Sequence, residues 1–144
     1  MISKYRTWDV TRAIMTYYDE KHGYQTRDEL LKRSTPYLQF MPISGYQDKD
    51  GKDIYEGDIL KTSTTSKALV VWADGEYDLR WIHCEWPTEM NVRTRYKITD
   101  DTNSPKSMTI IGNRFKNPDL LGNANVIYCG DQQAIFEVGK GNKV

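Results

Sequence analysis

The sequence is poor in cysteine and histidine. Its 144 residues include two cysteines, Cys84 and Cys129, and two histidines, His22 and His83. The cysteines lie too far apart for a C-x-x-C pair. A structural zinc site usually takes four converging ligands, and adjacent strand residues such as His83 and Cys84 point to opposite faces. We therefore expect reduced thiols, no metal and no cofactor.

The sequence also lacks an excess of charge and any long apolar run. Twenty basic residues balance twenty acidic ones. Proteins that bind a phosphate backbone without sequence preference usually carry a basic excess, so a general nucleic-acid coat protein is disfavoured. No run approaches the roughly 18 apolar residues of a membrane helix, and residues 1–10 lack the apolar core of a signal peptide. We expect a cytoplasmic protein that does not contact membranes.

Common catalytic motifs are missing as well. The sequence contains no G-x-G-x-x-G, Walker A, G-x-S-x-G or H-E-x-x-H pattern. Glu56 and Asp58 flank Gly57 and could serve as an acid/base pair if one were desolvated. The alternative is structural: Asp58 can accept backbone N–H groups of its own turn, and Gly57 can supply a positive φ. We favour the structural reading and expect no enzyme.

Aromatic residues and turn signals are what the sequence has in abundance. Ten tyrosines and four tryptophans suit β-strands and contact surfaces. Residues 40–62 read FMPISGYQDKDGKDIYEGDILKT, with one turn signal at 48–51 and another at 55–58. The acids of the first turn do not have the spacing of an EF-hand. Short β-runs joined by tight turns are predicted here, and the structural turn residues are Asp50, Gly51, Glu56, Gly57 and Asp58.

Elsewhere the pattern is mostly β. Residues 77–81 and 92–98 alternate between apolar and polar side chains, and Asp74-Gly75 is a hairpin signal. A final hairpin is predicted from residues 126–128 and 134–138. Thr26 and Glu29 form a capping box for a short helix over residues 27–33. Residues 4–20 fit either a helix or a hairpin.

Two segments resemble the YopX family of small phage and prophage proteins. One is the stretch at residues 40–62, with D-K-D-G-K and I-Y-E-G-D-I; the other is I-I-G-N-x-x-x-N-P-x-L-L at residues 110–121. A weaker match at residues 5–18 favours the hairpin there. The resemblance implies a mainly β fold, a small SH3-like antiparallel barrel over residues 37–138. Residues 1–36 would form an N-terminal hairpin or short-helix extension packing on the barrel, and residues 139–144 a flexible tail.

Three functions are compatible with these features. The first is a non-catalytic phage or prophage accessory protein that binds a host or phage protein, for example as an inhibitor of host defence. The second is a nucleic-acid-binding barrel that uses one strand face carrying Arg93, Arg95 and Lys97. The third is an enzyme with a carboxylate site at Glu56 and Asp58. An exposed edge strand would also allow a homo-oligomer. Candidate partner-binding residues are Trp81, Trp86, Arg93, Arg95 and Lys97.

Overall fold

The computed structural model describes residues 2–62, 66–73, 75–83, 95–97, 105–121, 124–129 and 133–138. For residues 81, 83, 95–97, 124–129 and 133–138 the description is limited to the backbone. Strands make up most of these ranges, beside one short α-helix and two 3₁₀ turns. The prediction of a mainly β protein is therefore confirmed.

The first sheet has four antiparallel strands and begins with a hairpin. The hairpin turn holds Ala13 at a φ of +56°, and the Ala13 N–H donates to the carbonyl of Asp9 at 2.8 Å. Of the two predictions for residues 4–20, the hairpin is the one observed. The strands in the order of the sheet are β2 (Ile14–Tyr24), β1 (Ile2–Asp9), β3 (Leu38–Gln47) and β4 (Asp53–Tyr55).

The second sheet has five antiparallel strands. Gly75, at a φ of +84°, lies in the tight connection between its second and third strands in chain order, as the Asp74-Gly75 signal predicts. The strands in chain order are β5 (Asp58–Lys61), β6 (Lys67–Ala73), β7 (Glu76–His83), β8 (Arg95–Lys97) and β9 (Thr109–Asn113). In space the order is β8-β7-β6-β5-β9. A separate hairpin pairs β10 (Ala124–Cys129) with β11 (Gln133–Val138), close to the predicted bounds.

The sheets do not close into a barrel in the part of the chain that the structure describes. The five-stranded sheet ends at β8 on one side and at β9 on the other, and no ladder between described residues joins these two edges. The SH3-like barrel and the division at residue 36 remain predictions. The structure does show how the first 36 residues attach to the rest, because β1 forms a ladder with β3 as well as with β2.

The predicted helix is present and short. It is α1 (Arg27–Leu31), and the Thr26 hydroxyl accepts a hydrogen bond from the Glu29 N–H at 3.1 Å, as the capping box predicts. The helix ends two residues earlier than predicted, because the N–H groups of Arg33 and Ser34 bond to carbonyls three residues back. Leu30 and Leu31 pack against Tyr5 and Phe40. The helix thus covers one face of the first sheet.

The five-stranded sheet is apolar on both faces. Alternation along β5 and β6 divides their side chains between two buried clusters. One contains Leu60, Val70 and Leu79, together with Ile54 of β4 and Met108. The other is centred on residues of the same two strands, Ile59, Leu69 and Val71. A sheet buried on both faces cannot carry a large solvated binding face at its centre.

The turn at Tyr55-Glu56-Gly57-Asp58 is where separate parts of the fold meet. Gly57 has a φ of +92°. The Glu56 N–H donates to Pro42 in β3 at 3.1 Å, and the Gly57 N–H donates to Val70 in β6 at 2.9 Å. The Gly57 carbonyl accepts from the Arg114 N–H, just after β9, at 2.9 Å. Three consecutive backbone contacts therefore connect both sheets through this one turn.

The segment after β9 is shaped by a close approach at Gly112. A Cβ atom at that position would lie 2.4 Å from the Asn117 side-chain oxygen, so any other residue there would displace the Asn117 side chain. That oxygen accepts from the Asn113 N–H at 3.2 Å, and Asn113 in turn accepts from the N–H groups of Phe115 and Lys116. A 3₁₀ turn, Pro118–Leu121, follows directly after Asn117.

We predict that Gly57→Val destabilises the fold by about 1–3 kcal/mol, because a β-branched residue is strained at a φ of +92°. Thermal and urea unfolding measure the effect. Lys61→Val is the matched control, since Lys61 is exposed on the adjoining strand β5 and adopts an extended backbone. A melting temperature for Gly57→Val equal to that of the control would contradict this account of the turn.

Candidate functional site

The most polar buried site of the described chain surrounds the 55–58 turn, and Arg6 of β1 lies at its centre. Arg6 is 2% exposed. Its Nη1 lies 2.8 Å from Asp58 Oδ1, and its Nη2 donates to the Glu56 carbonyl at 3.1 Å. The guanidinium also lies 5.0 Å from the centre of the Tyr55 ring, within range of a cation–π contact. One side chain of β1 therefore contacts three of the four residues of the turn.

Arg27 of α1 makes the second buried ion pair. Its Nε donates to Glu56 Oε1 at 2.9 Å, and its Nη2 lies 2.7 Å from the same oxygen. The Arg27 guanidinium lies 4.8 Å from the centre of the Trp72 ring in β6. Like Arg6, Arg27 is buried. The N-terminal helix is thus fixed to the turn and to the second sheet by one arginine.

Burial dominates the electrostatics of both carboxylates. It raises the pKa of Glu56, although Arg27, Arg114 and Arg6 all favour the charged form. Burial likewise raises the pKa of Asp58, against the opposing effects of Arg6 and of the Tyr55 N–H, which donates to Asp58 Oδ2 at 2.8 Å. Perturbed carboxylates occur at active sites and also in structural ion pairs. Here their oxygens contact arginines and backbone inside the protein.

Asp48 organises the turn at residues 48–51, which precedes the 55–58 turn. Its Oδ1 accepts from the N–H groups of Asp50 and Lys52 at 2.9 and 3.0 Å, and its Oδ2 accepts from Ile110 of β9 at 3.2 Å. Burial acts to raise the pKa of Asp48, but these three backbone hydrogen bonds outweigh it, so the pKa is lowered. Gly51 in this turn has a φ of +79°. Asp48 therefore binds backbone, and no group of three or more His, Cys, Asp or Glu side chains suited to a metal occurs among the described residues.

The sequence-predicted partner-binding residues do not all fall in the described chain. Trp86 and Arg93 lie outside it. Trp81 is in β7, at the register position opposite Ala68 of β6. In β8, Arg95 is opposite Arg80 and Lys97 is opposite Asp78 of β7. The basic strand thus neighbours a strand that carries an acid at one of the two matching positions.

A surface that was not singled out from the sequence lies on the N-terminal hairpin. We define the hairpin surface as the large hydrophobic side chains that remain exposed in the described residues: Val10, Ile14, Tyr17, Tyr18 and Tyr37. Tyr37, before β3, is 69% exposed, and its carbonyl accepts from the Val10 N–H at 2.9 Å. In the sequence, this surface is indicated only by the M-x-Y-Y pattern of β2. That pattern predicts an ordinary half-buried strand and does not show that the strand lies at the edge of a sheet.

The two tyrosines of β2 extend the hairpin surface around the strand. Tyr17 is opposite Arg6 and makes an edge contact with Tyr55, with ring centres 5.4 Å apart. Tyr18 is opposite Tyr5 and stacks on it at 4.9 Å. Neighbouring strand residues point to opposite faces, so each ring lies along one face of the sheet while part of it stays open to solvent. Packing on buried rings holds both tyrosines in place.

Comparison with known proteins gives the family. The family model described as YopX protein matches residues 4–122. The chain belongs to the YopX protein family. The match includes the ion-paired turn, the Asn113–Asn117 segment and the hairpin, so the resemblance seen in the sequence is confirmed.

The chain is also similar to a solved structure of low sequence identity. A crystal structure of protein EF1440 from Enterococcus faecalis is similar, with 21% sequence identity and a TM-score of 0.48. The similarity covers 82% of this chain and 96% of that one. A search of curated proteins finds no match. In the described part of the YopX chain, no helix is long and apolar enough to cross a membrane.

We predict that Asp48 contributes to stability at neutral pH and that this contribution disappears in acid. Its folded pKa is lowered below its unfolded value of about 3.9, so the contribution is complete above that pH and is lost as the pH falls through the folded pKa. Unfolding free energies of the native protein and Asp48→Asn, measured from pH 7 to pH 2.5, should therefore converge below about pH 4. A difference that stays constant with pH would contradict the assignment.

Proposed function

We propose that this YopX protein is a non-catalytic binding module of a phage or prophage that acts by binding a host or phage protein through its N-terminal hairpin. The observation that carries the proposal is the concentration of exposed apolar side chains on that hairpin. Ile14 is 50% exposed and Tyr17 is 58% exposed, on a strand at the edge of a sheet. Inhibition of a host enzyme or defence protein is one form that this binding would take.

The make-up of the hairpin surface suits a protein partner. Single exposed hydrophobic residues are ordinary on any protein, whereas a cluster on one element marks an interaction surface. Tyrosine is enriched at interface hot spots because it supplies a large area and a polar tip with little rotamer entropy. Tyr17 and Tyr18 are also held by Tyr55 and Tyr5, so little further ordering is needed when a partner binds.

The surroundings of the motif acids support a non-catalytic role. A general acid or base must come within hydrogen-bond reach of a substrate proton. The side chains of Glu56 and Asp58 are only 4% and 3% exposed and face arginines. The presence of two buried carboxylates is therefore explained by the ion pairs that they form at the turn.

Nucleic-acid binding by Arg93, Arg95 and Lys97 has weaker support. Lys97 is opposite Asp78 in the β7–β8 ladder, and the chain has no net charge. A backbone binder relies on cations that are free to neutralise phosphates. Nucleic-acid binding is therefore the alternative that nuclease treatment of the captured material tests.

We predict that the tagged protein captures a stoichiometric protein from bacterial lysate and that the capture survives nuclease treatment. A triple variant of the hairpin surface, Val10→Ser, Ile14→Ser and Tyr37→Ser, should reduce the yield at least roughly ten-fold, the effect of losing about 1.4 kcal/mol of contact energy. These side chains are exposed, so the fold should persist, which circular dichroism checks.

The matched control is Lys49→Ser with Lys61→Ser, at exposed positions away from the hairpin. It should capture the partner as well as the native protein does. Equal capture by the hairpin variant would contradict the proposed surface. Loss of the captured material on nuclease treatment would instead indicate nucleic-acid binding by Arg93, Arg95 and Lys97.

A further inference from the structure

Strand β2 is a long edge strand. Its eleven residues pair with β1 on one side, and within the described chain no ladder forms on the other side. Residues 16–22 are all exposed. An edge strand presents a row of backbone N–H and C=O groups that another extended chain can bind. The chemistry that fits this edge is therefore an extended peptide segment.

Charge is unevenly distributed along β2. Proteins protect exposed edges with charges or proline, but residues 14–18 contain neither. Asp19, Glu20 and Lys21 follow. The Glu20 carboxylate accepts a hydrogen bond from the Tyr5 hydroxyl at 2.5 Å, which leaves Asp19 as the acid to consider at the middle of the strand.

Asp19 lies among charged side chains of the sheet. It is opposite Lys4 of β1, and the Lys4 ammonium lies 3.4 Å from Asp53. Lys4 is thus shared between two carboxylates. A cation placed opposite Asp19 on the outer side of β2 would give this carboxylate an opposite charge of its own.

A second copy of this chain fits the edge poorly. If residues 14–24 paired antiparallel with themselves over their full length, Asp19, the central residue, would face Asp19 of the other copy. Like charges directly opposite one another destabilise a strand pair. The occupant indicated by the charges is a different segment, with a basic residue at the central position.

We propose that β2 binds an extended segment of another protein as an added antiparallel strand, with Lys or Arg opposite Asp19 and apolar residues opposite Met15 and Tyr17. Met15, Tyr17 and Asp19 share one face of the strand, so the partner would present its three matching side chains on one face as well. This inference rests on the proposed function and deepens it by naming the chemistry of the partner.

The test uses two peptides derived from β2 itself. One has residues 14–24 with Lys21→Ile and Gly23→Ile, which places apolar residues opposite Tyr17 and Met15, and the other carries Asp19→Lys in addition. In the full-length antiparallel register, the first places Asp and the second places Lys opposite Asp19 of the protein. We expect the Lys peptide to bind roughly ten-fold more tightly by fluorescence anisotropy, the effect of changing a like pair into an opposite pair.

The protein variant Asp19→Lys provides the reciprocal test. Asp19 is exposed, so the variant should keep the native fold, with a small loss of stability from the lysine that it places opposite Lys4. It should prefer the first peptide, with Asp at position 19, over the Lys peptide by a similar factor. Failure of both peptides to bind, or a preference that is the same for both proteins, would overturn the proposal.

Backbone methylation separates strand addition from contacts made by side chains alone. In an added strand, alternate N–H groups of the peptide point to β2. N-methyl groups at one alternate set of positions should abolish binding of the Lys peptide, and N-methyl groups at the other set should leave it largely unchanged. Binding that survives both sets would overturn the proposal.

Two results distinguish this inference from the proposed function. If hairpin-dependent capture is found in lysate but the peptides do not bind, the hairpin is a binding surface and strand addition is wrong. If the peptides bind with the expected charge preference but nothing is captured, strand addition stands and the proposed function fails. Sedimentation of the native protein as a dimer that Asp19→Lys changes would assign the edge to a second copy and overturn the proposal.

Discussion

The buried ion pair between Arg6 and Asp58 is the contact on which the rest of this structure depends. It joins the first strand of the chain to the turn that begins the second sheet, at 2.8 Å and with both side chains almost fully buried. Breaking one partner of such a pair leaves an uncompensated charge, which costs about 3–5 kcal/mol. The Arg27–Glu56 pair adds the helix to the same turn. The N-terminal segment is therefore part of the core structure of this YopX chain and cannot be treated as a loose appendage.

This arrangement explains why the family motif is dense in charge without resembling an active site. Glycine at position 57 allows the turn, its N–H and C=O groups bond to β6 and to the segment after β9, and the flanking acids bind arginines. Asp48 does the same for the preceding turn by accepting three backbone N–H groups. Because these polar groups are used within the fold, the proposed binding surface is the exposed hairpin with its edge strand β2.

Features that depend on neighbouring residues could be predicted from the sequence. The Thr26 cap, the Gly57 turn, the Asp74-Gly75 connection and the final hairpin all follow from local rules for turns and caps. Contacts between distant residues could not be derived in this way. Arg6 and Arg27 lie 50 and 29 positions from Glu56, and no periodicity indicates that they meet it. The same limit applies to β2: its composition resembles that of any strand and does not show that it lies at the edge of the sheet.

The central claim is that the buried carboxylates of the turn are structural anions for arginines, and a double-mutant cycle on Glu56 and Arg27 tests it most directly. Unfolding free energies are measured for the native protein, Glu56→Met, Arg27→Met and the double variant. The structure predicts a coupling energy of about 1–3 kcal/mol, because each single change leaves a buried polar group without its partner and the double change removes both. Effects of the two substitutions that add to within about 0.5 kcal/mol would contradict the claim.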